Sequence, residues 1–257
     1  MDQLGRVREI VRYPVKSMAG VPVESAFLGW HGVAGDRRFA FRRLGNDTGF
    51  PWLNATKLAE LLLYQPFGLD ETSGQPLPTH VRTPAGRELE LRSAELQSEI
   101  AERFGSGVDL MQHRHGLFDD ATISLISTTT IAGIGAGAEM ELDRRRFRAN
   151  IIVETTVGDA FGEGDWIGQT LMFGDAGPAP AVRVTAHDAR CRMINLDPDT
   201  AAQDARVLKT VARLNGNNAG VYGTVVQTGT IRVGDPVYCH IEAVQFGVDP
   251  PPDHVAS

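Results

Sequence analysis

Alternation of apolar and polar positions divides the chain into many short strand-like runs and few helical ones. Runs at residues 6–13, 21–28, 39–43, 81–83 and 88–91 carry the strand signal in the first half, and runs at 123–126, 150–154, 170–173, 182–186, 221–226 and 230–237 carry it in the second. Pro14 ends the first run because proline has no N–H for a continuing ladder, and Pro84-Ala85-Gly86 joins two runs as a hairpin. Helical spacing appears at 55–63 after Asn54, and at 94–104, where Leu96, Ile100 and Phe104 recur every fourth residue before Gly105. It appears again at 203–214, with Val207, Leu208, Val211 and Leu214 on one face. Ser127 is placed to cap a short helix that fades into Gly133-x-Gly135-x-Gly137, a flexible connection. The pattern predicts a mainly β (α+β) protein of barrel-like sheets covered by a few helices. Residues 113–120 lack periodic apolar positions and precede a fresh strand, which puts a domain boundary near 115. The expected units are 1–115, 116–248 and a mobile tail, 249–257, with three consecutive prolines.

Composition narrows the classes. A chain of 257 residues, 42% hydrophobic, can bury its own core. No run approaches the roughly 18 to 20 apolar residues of a membrane span, and the start lacks the apolar segment of a signal peptide, so a cytoplasmic location is expected. Two cysteines, Cys191 and Cys239, cannot form a disulfide framework, and a net charge of −7 argues against nucleic acid or an anionic membrane as partner.

Against that acidic background, Asp143-Arg144-Arg145-Arg146-Phe147-Arg148-Ala149-Asn150 concentrates positive charge. The run reads either as a solvated surface or as an anion site, since guanidinium groups pair with phosphate oxygens; a following strand would set Arg148 and Asn150 on one face. Lys16-Ser17 and Gly35-Asp36-Arg37-Arg38 occupy two further loops and are weak alone. Cys191 sits between Arg190 and Arg192; it reads as an inert small hydrophobe or as a thiolate stabilised by cations and able to bind soft metals. Cys239 has no such setting, and His187 has no partner fixed by spacing. The glycine run matches neither a phosphate loop nor a dinucleotide fingerprint, and the segment from Asp197 to Thr200 reads as a turn.

Taken in order, these segments resemble the MOSC family, named for the C-terminal domain of molybdenum cofactor sulfurase. Tyr13-Pro14-Val15-Lys16-Ser17, Gly20-Val21-Pro22-Val23 and Gly35-Asp36-Arg37-Arg38-Phe39 look like the signature of its N-terminal associated β-barrel. Residues 146–153, Phe161-x-Glu163-x-Asp165-Trp166, Arg190-Cys191 with Asp197-Pro198-Asp199-Thr200, and residues 229–237 look like the MOSC signature itself. The resemblance runs along nearly the whole chain. It implies a β-barrel MOSC domain packed with an N-terminal β-barrel-like domain and a molybdopterin held between them. Lys16, Ser17, Arg37 and Arg148 would hold pterin and phosphate, with Asn150, Ser127 and Thr128 nearby and Tyr222 close to the cofactor. Cys191 would be the catalytic residue and the thiolate ligand to molybdenum.

The family includes the mitochondrial amidoxime-reducing component and bacterial relatives, so the implied function is reduction of N-hydroxylated or N-oxide small molecules. The chain departs from those reductases in carrying Asp188-Ala189-Arg190-Cys191 where they usually have Cys-Ser-Arg-Cys, and Ala149 where proline is common. It lacks the cysteines of an iron–sulfur domain, so electrons are expected from a separate ferredoxin- or flavin-type donor protein. No pyridoxal phosphate is expected in this chain. Two alternatives stay open. One is a sulfur carrier that uses a Cys191 persulfide supplied by a cysteine desulfurase, in metal-sulfur or cofactor maturation. The other is a non-catalytic cofactor store.

Overall fold

The computed structural model describes residues 2–46, 48–155, 158–175 and 179–240; the tail expected to be mobile lies outside them. In chain order the elements are β1 (Asp2–Arg12), β2 (Val21–Val23), β3 (Ser25–Gly29), β4 (Gly32–Val33), β5 (Phe39–Arg43), β6 (Gln65–Phe67), β7 (His80–Arg82), β8 (Glu88–Glu90), α1 (Ala94–Phe104) and β9 (Val108–Gln112). There follow β10 (Ile123–Ser127), α2 (Thr128–Gly137), β11 (Ile151–Thr155), β12 (Thr170–Phe173), β13 (Ala181–Ala189), α3 (Arg206–Asn215), β14 (Asn218–Gln227), β15 (Gly229–Arg232) and β16 (Pro236–His240). The described protein is mainly β, with three α-helices, and none of its helices is long and apolar enough to cross a membrane.

Seven strands close into a barrel in the order β11-β10-β14-β13-β12-β16-β1, with β1 returning to β11. Closure depends on the length of β1. Its first half pairs with β16, its middle with β11 and its last residues with β2, and register shifts turn it from one partner to the next. Gly5 lies where β1 presses on β11: a Cβ there would stand 2.1 Å from the Glu154 carbonyl oxygen, so no larger residue fits. β10 and β11 are parallel, which requires a crossover, and α2 supplies it.

Alternation assigns the faces. Ile123 and Leu125 of β10, Ile151 and Val153 of β11, and Val182 and Val184 of β13 fill the barrel, while Ile126 and Ile152 point the other way and pack under α2 and α3 against Ile131, Ile134, Val207 and Val211. β10 is therefore buried at every position, and its two serines, Ser124 and Ser127, are satisfied by the carboxylates of Asp188 and Glu163. A separate core, including Phe39, Phe41, Leu61, Val81, Leu96, Ile100 and Val108, forms where β5–β9, the β6-β7-β8 sheet and α1 meet. β3 pairs with β15 on one edge and with β4 on the other, forming a small sheet beside the barrel.

Several expected elements come out differently. The 21–28 run is two strands, because β2 pairs with β1 and β3 with β15. The 230–237 run breaks at a turn, with Gly234 at φ 90° and the Arg232 N–H bonded to Asp235 Oδ2 at 2.7 Å. The 55–63 helix is only a 3-10 segment at Ala59–Leu63. The glycine run continues as α2 instead of ending it, because it lets the helix approach its neighbours closely. A Cβ on Gly133 would meet Ala160 at 2.5 Å, and one on Gly137 would meet Leu214 and Thr210 at 3.0 Å.

Candidate functional site

Three strands and six intervening segments line a cavity of about 320 Å³. Ser124 of β10, Asp188 and Ala189 of β13 and Tyr222 of β14 belong to the strands, and Arg190 and Cys191 lie just past the end of β13. Lys16, Ser17 and Arg37, from loops near β1 and β5, line it too, with Arg146 and Arg148. Six of the residues singled out in the sequence are thus neighbours: Lys16, Ser17, Arg37, Arg148, Cys191 and Tyr222.

Their backbone is unusual. Ser17, Arg37 and Arg148 have φ of 67°, 48° and 52°, the left-handed region that side chains other than glycine seldom occupy. Such conformations cost roughly 1–3 kcal/mol each and persist where surrounding structure enforces them, commonly at binding sites. Here the enforcement is visible. The Arg37 N–H donates to the Tyr13 carbonyl at 2.7 Å, and the buried Asp36 carboxylate takes the Tyr13 N–H at 2.6 Å and pairs with the Arg37 guanidinium. Asn150, fully buried behind the site, accepts from Arg37 at 3.2 Å and from the Ser124 N–H at 3.2 Å, and donates to the Val11 carbonyl at 3.2 Å. It positions Arg37 from behind.

The two readings of the arginine run now separate. Arg144 pairs with Glu9, Arg145 with Asp143 and Asp199, and Arg146 with Asp197 while also donating to the Asn195 carbonyl at 2.9 Å. Arg144 and Arg145 do not line the cavity, whereas Arg146, although paired, does. Arg148 differs: its guanidinium stacks over the Tyr13 ring at 4.2 Å and donates to the Met18 carbonyl at 2.6 Å, and it has no carboxylate partner among the described residues. Burial lowers its pKa to about 10, with nearby Arg37 adding to the effect, and burial raises that of Tyr13 to about 12. Lys16, on the same wall, is paired with Asp119 at 2.8 Å, a carboxylate that is 63% exposed and easily displaced.

Sequence reasoning missed Asp188, since a lone aspartate at a strand end carries no signal. It is 2% exposed; its Oδ2 accepts from Ser124 Oγ at 2.7 Å and lies 2.7 Å from Arg190 Nη2. Burial raises its pKa against the opposing pull of Arg190. Arg190 also donates to the carbonyls of Ala219 at 2.6 Å and Phe147 at 2.7 Å, tying the segment before Cys191 to β14 and to the turn before Arg148. Cys191 itself is free and exposed in the cavity. Cys239 is buried in the barrel core, where burial raises its thiol pKa. His187 does not line the cavity.

Ser127 and Thr128 do not join the site either. The Ser127 hydroxyl caps α2, accepting from the Thr130 N–H at 3.0 Å and donating to the buried Glu163 at 2.8 Å, and Thr128 faces a separate cavity with Glu141 and Arg144. Ser124, three residues earlier on β10, is the hydroxyl that reaches the cavity. Asp197 accepts from the N–H groups of Asp199 and Thr200, the turn expected from its sequence.

The cavity is lined by Lys16, Arg37, Arg146, Arg148 and Arg190, by the carboxylates Asp119, Asp120 and Asp188, and by the exposed thiol of Cys191. The excess of cations suits an anionic ligand.

Residues 112–238 match the family model of the MOSC domain. The chain is 24% identical over 290 residues to mitochondrial amidoxime reducing component 2 of Macaca fascicularis and 23% identical over 291 residues to mitochondrial amidoxime-reducing component 1 of Homo sapiens, covering 93% of this chain and 84% of the relative in each case. Among solved structures, the YuaD protein from Bacillus subtilis superposes with a TM-score of 0.50 at 13% identity, over 92% of this chain and 95% of that one, a likeness of fold.

Proposed function

We propose that this chain, whose residues 112–238 match the MOSC domain, binds the molybdenum cofactor in the cavity described above and reduces N-hydroxylated or N-oxide small molecules there. In this reading residues 1–115 supply Lys16, Ser17 and Arg37, and the following residues supply Arg148 and Cys191. The cations hold the phosphate and pterin, Asn150 keeps Arg37 in place, and the Cys191 thiolate is the protein's ligand to the metal. Bound there, the cofactor supplies two-electron redox chemistry, with electrons delivered by a separate donor protein. The protein's part is to orient the cofactor and to leave one side of the cavity open to substrate. The observation that carries the proposal is the exposure of Cys191 in the same cavity as an arginine with no carboxylate partner.

The test is molybdenum and pterin content after expression in a cofactor-producing host, followed by turnover of amidoximes and N-oxides with a chemical reductant. Near-stoichiometric metal in the wild type that is lost or made labile in Cys191→Ala, together with turnover, is the expected result. Wild-type protein without metal or pterin would overturn the cofactor assignment, and loaded protein without turnover would overturn the reductase assignment. The exposed thiol also favours a second reading, sulfur carriage on Cys191. Incubation with a cysteine desulfurase would then add one sulfur to Cys191 by mass spectrometry.

A further inference from the structure

A second cavity, of about 440 Å³, falls within the roughly 300–1,000 Å³ of small-molecule sites and has no part in the cofactor reading. Its lining comes from β1, β2, β6, β7 and segments between them, and from the turn that carries Arg144 and Arg145. Among the described residues it shares one lining residue with the first cavity, Arg148. The Arg148 guanidinium is bonded to the Met18 carbonyl, next to the lining residue Ala19, and covers the ring of Tyr13, which lines the second cavity and not the first. The rest of the lining divides by chemistry. Val11 and Leu62 are buried and Val21 and Phe67 half-buried, giving it an apolar surface. Arg82, Arg144 and Arg145 add exposed guanidiniums, with Glu9 as a lining carboxylate. Arg144 takes Glu9, Arg82 pairs with Glu88 at 2.8 Å, and Arg145 pairs with Asp143 and Asp199. Exposed pairs of this kind add little to stability, so these arginines can turn to a new anion at small cost. Arg148, whose charge is opposed by burial and which has no carboxylate partner among the described residues, gains most from one.

We propose that the second cavity binds a small amphipathic carboxylate, its hydrocarbon body against Val11, Val21, Leu62 and Phe67 and its carboxylate on Arg148 and the rim arginines. Guanidinium and carboxylate pair through parallel hydrogen bonds, and the apolar surface rewards a ligand that brings hydrocarbon to it. A neutral ligand of the same shape would fill the cavity and leave the cations unanswered. Because Arg148 borders both cavities, an anion in one draws on the cation that the other needs, so each should weaken the other by the same factor.

The test is calorimetry on the full chain from a host that makes no molybdopterin, with decanoate as the probe below its micelle concentration and decan-1-ol and decyltrimethylammonium as its neutral and cationic counterparts. Decanoate should bind the wild type at least about tenfold more tightly than decan-1-ol, and the cation should bind more weakly still. Val21→Trp puts an aromatic side chain that suits a strand into the cavity; it should weaken decanoate at least about tenfold and leave the Kd of inorganic phosphate unchanged. Saturating decanoate should raise the phosphate Kd of the wild type about fivefold and that of Val21→Trp not at all. Should Val21→Trp fail to fold, Arg82→Gln, on the exposed rim, takes its place and should weaken decanoate about threefold without changing decan-1-ol. Wild-type protein that does not bind decanoate, equal binding of decanoate and decan-1-ol, or full decanoate binding by Val21→Trp would overturn the proposal. Wild-type protein that does not bind phosphate counts against the anion site of the first cavity alone, and the decanoate comparison then decides for the second.

Discussion

Replacing Arg148 with glutamine should separate what the cation costs the fold from what it does for a ligand. Burial lowers the guanidinium pKa from its ordinary value to about 10, a difference of roughly 3 kcal/mol. Because the group keeps some exposure to the cavity, screening reduces this to about 2 kcal/mol. The sign is fixed: a base whose folded pKa lies below its unfolded value carries its full penalty at neutral pH, relieved only as pH rises above about 10. Opposing it are the stacking on Tyr13, worth about 1 kcal/mol, and the bond to the Met18 carbonyl, worth about 1 kcal/mol. The terms nearly cancel, so cofactor-free Arg148→Gln should match the wild type within about 1 kcal/mol in urea unfolding at pH 7.5. The ligand side does not cancel. Losing charge-assisted bonds to a phosphate costs about 3 kcal/mol, so binding of phosphate or molybdopterin should weaken roughly 100-fold. Phosphate added to the unfolding assay reads this directly, because it raises wild-type stability by mass action and should leave the variant unmoved. A loss above about 2 kcal/mol without ligand, or equal stabilisation of both proteins by phosphate, would show that Arg148 serves the fold and refute the reasoning.

Three further outcomes follow from particular contacts. In the native protein a thiol reagent should label Cys191 within the mixing time while Cys239, inside the barrel, reacts only on unfolding; mass spectrometry of the alkylated peptides distinguishes them. Glu163→Ala should cost about 2–4 kcal/mol by chemical denaturation, because the buried Ser127 and Thr130 hydroxyls and the Gly220 N–H all donate to that carboxylate. Tyr13, raised to about 12, contributes stability that is full below its unfolded pKa near 10 and is lost as pH rises through 12. Tyr13→Phe should therefore remove about 1 kcal/mol of alkaline destabilisation by pH 11, and an unchanged pH profile would count against the assigned shift.

Local patterning determined much of this protein. The elements β5, α1 and β12 occupy the residues their sequence indicated, because alternation, the Ser93 cap and the Gly105 stop act within a few positions of the chain. Cys191 and the three loop cations were legible as chemistry for the same reason: residue type and neighbours carry the signal. Partner choice was not legible. Whether residues 21–28 form one strand or two depends on β1 and β15, more than a hundred residues apart, and whether a glycine-rich stretch is helix or loop depends on Ala160 and Leu214 lying against it. The same holds in the site. Four arginines in five positions look alike in sequence, and only the fold spends three of them on carboxylates and leaves the fourth, Arg148, lining the cavity without one among the described residues. Asp188, Ser124 and Tyr222 acquire a common environment only when β13, β10 and β14 are side by side, because burial and charge pairing are properties of neighbours in space.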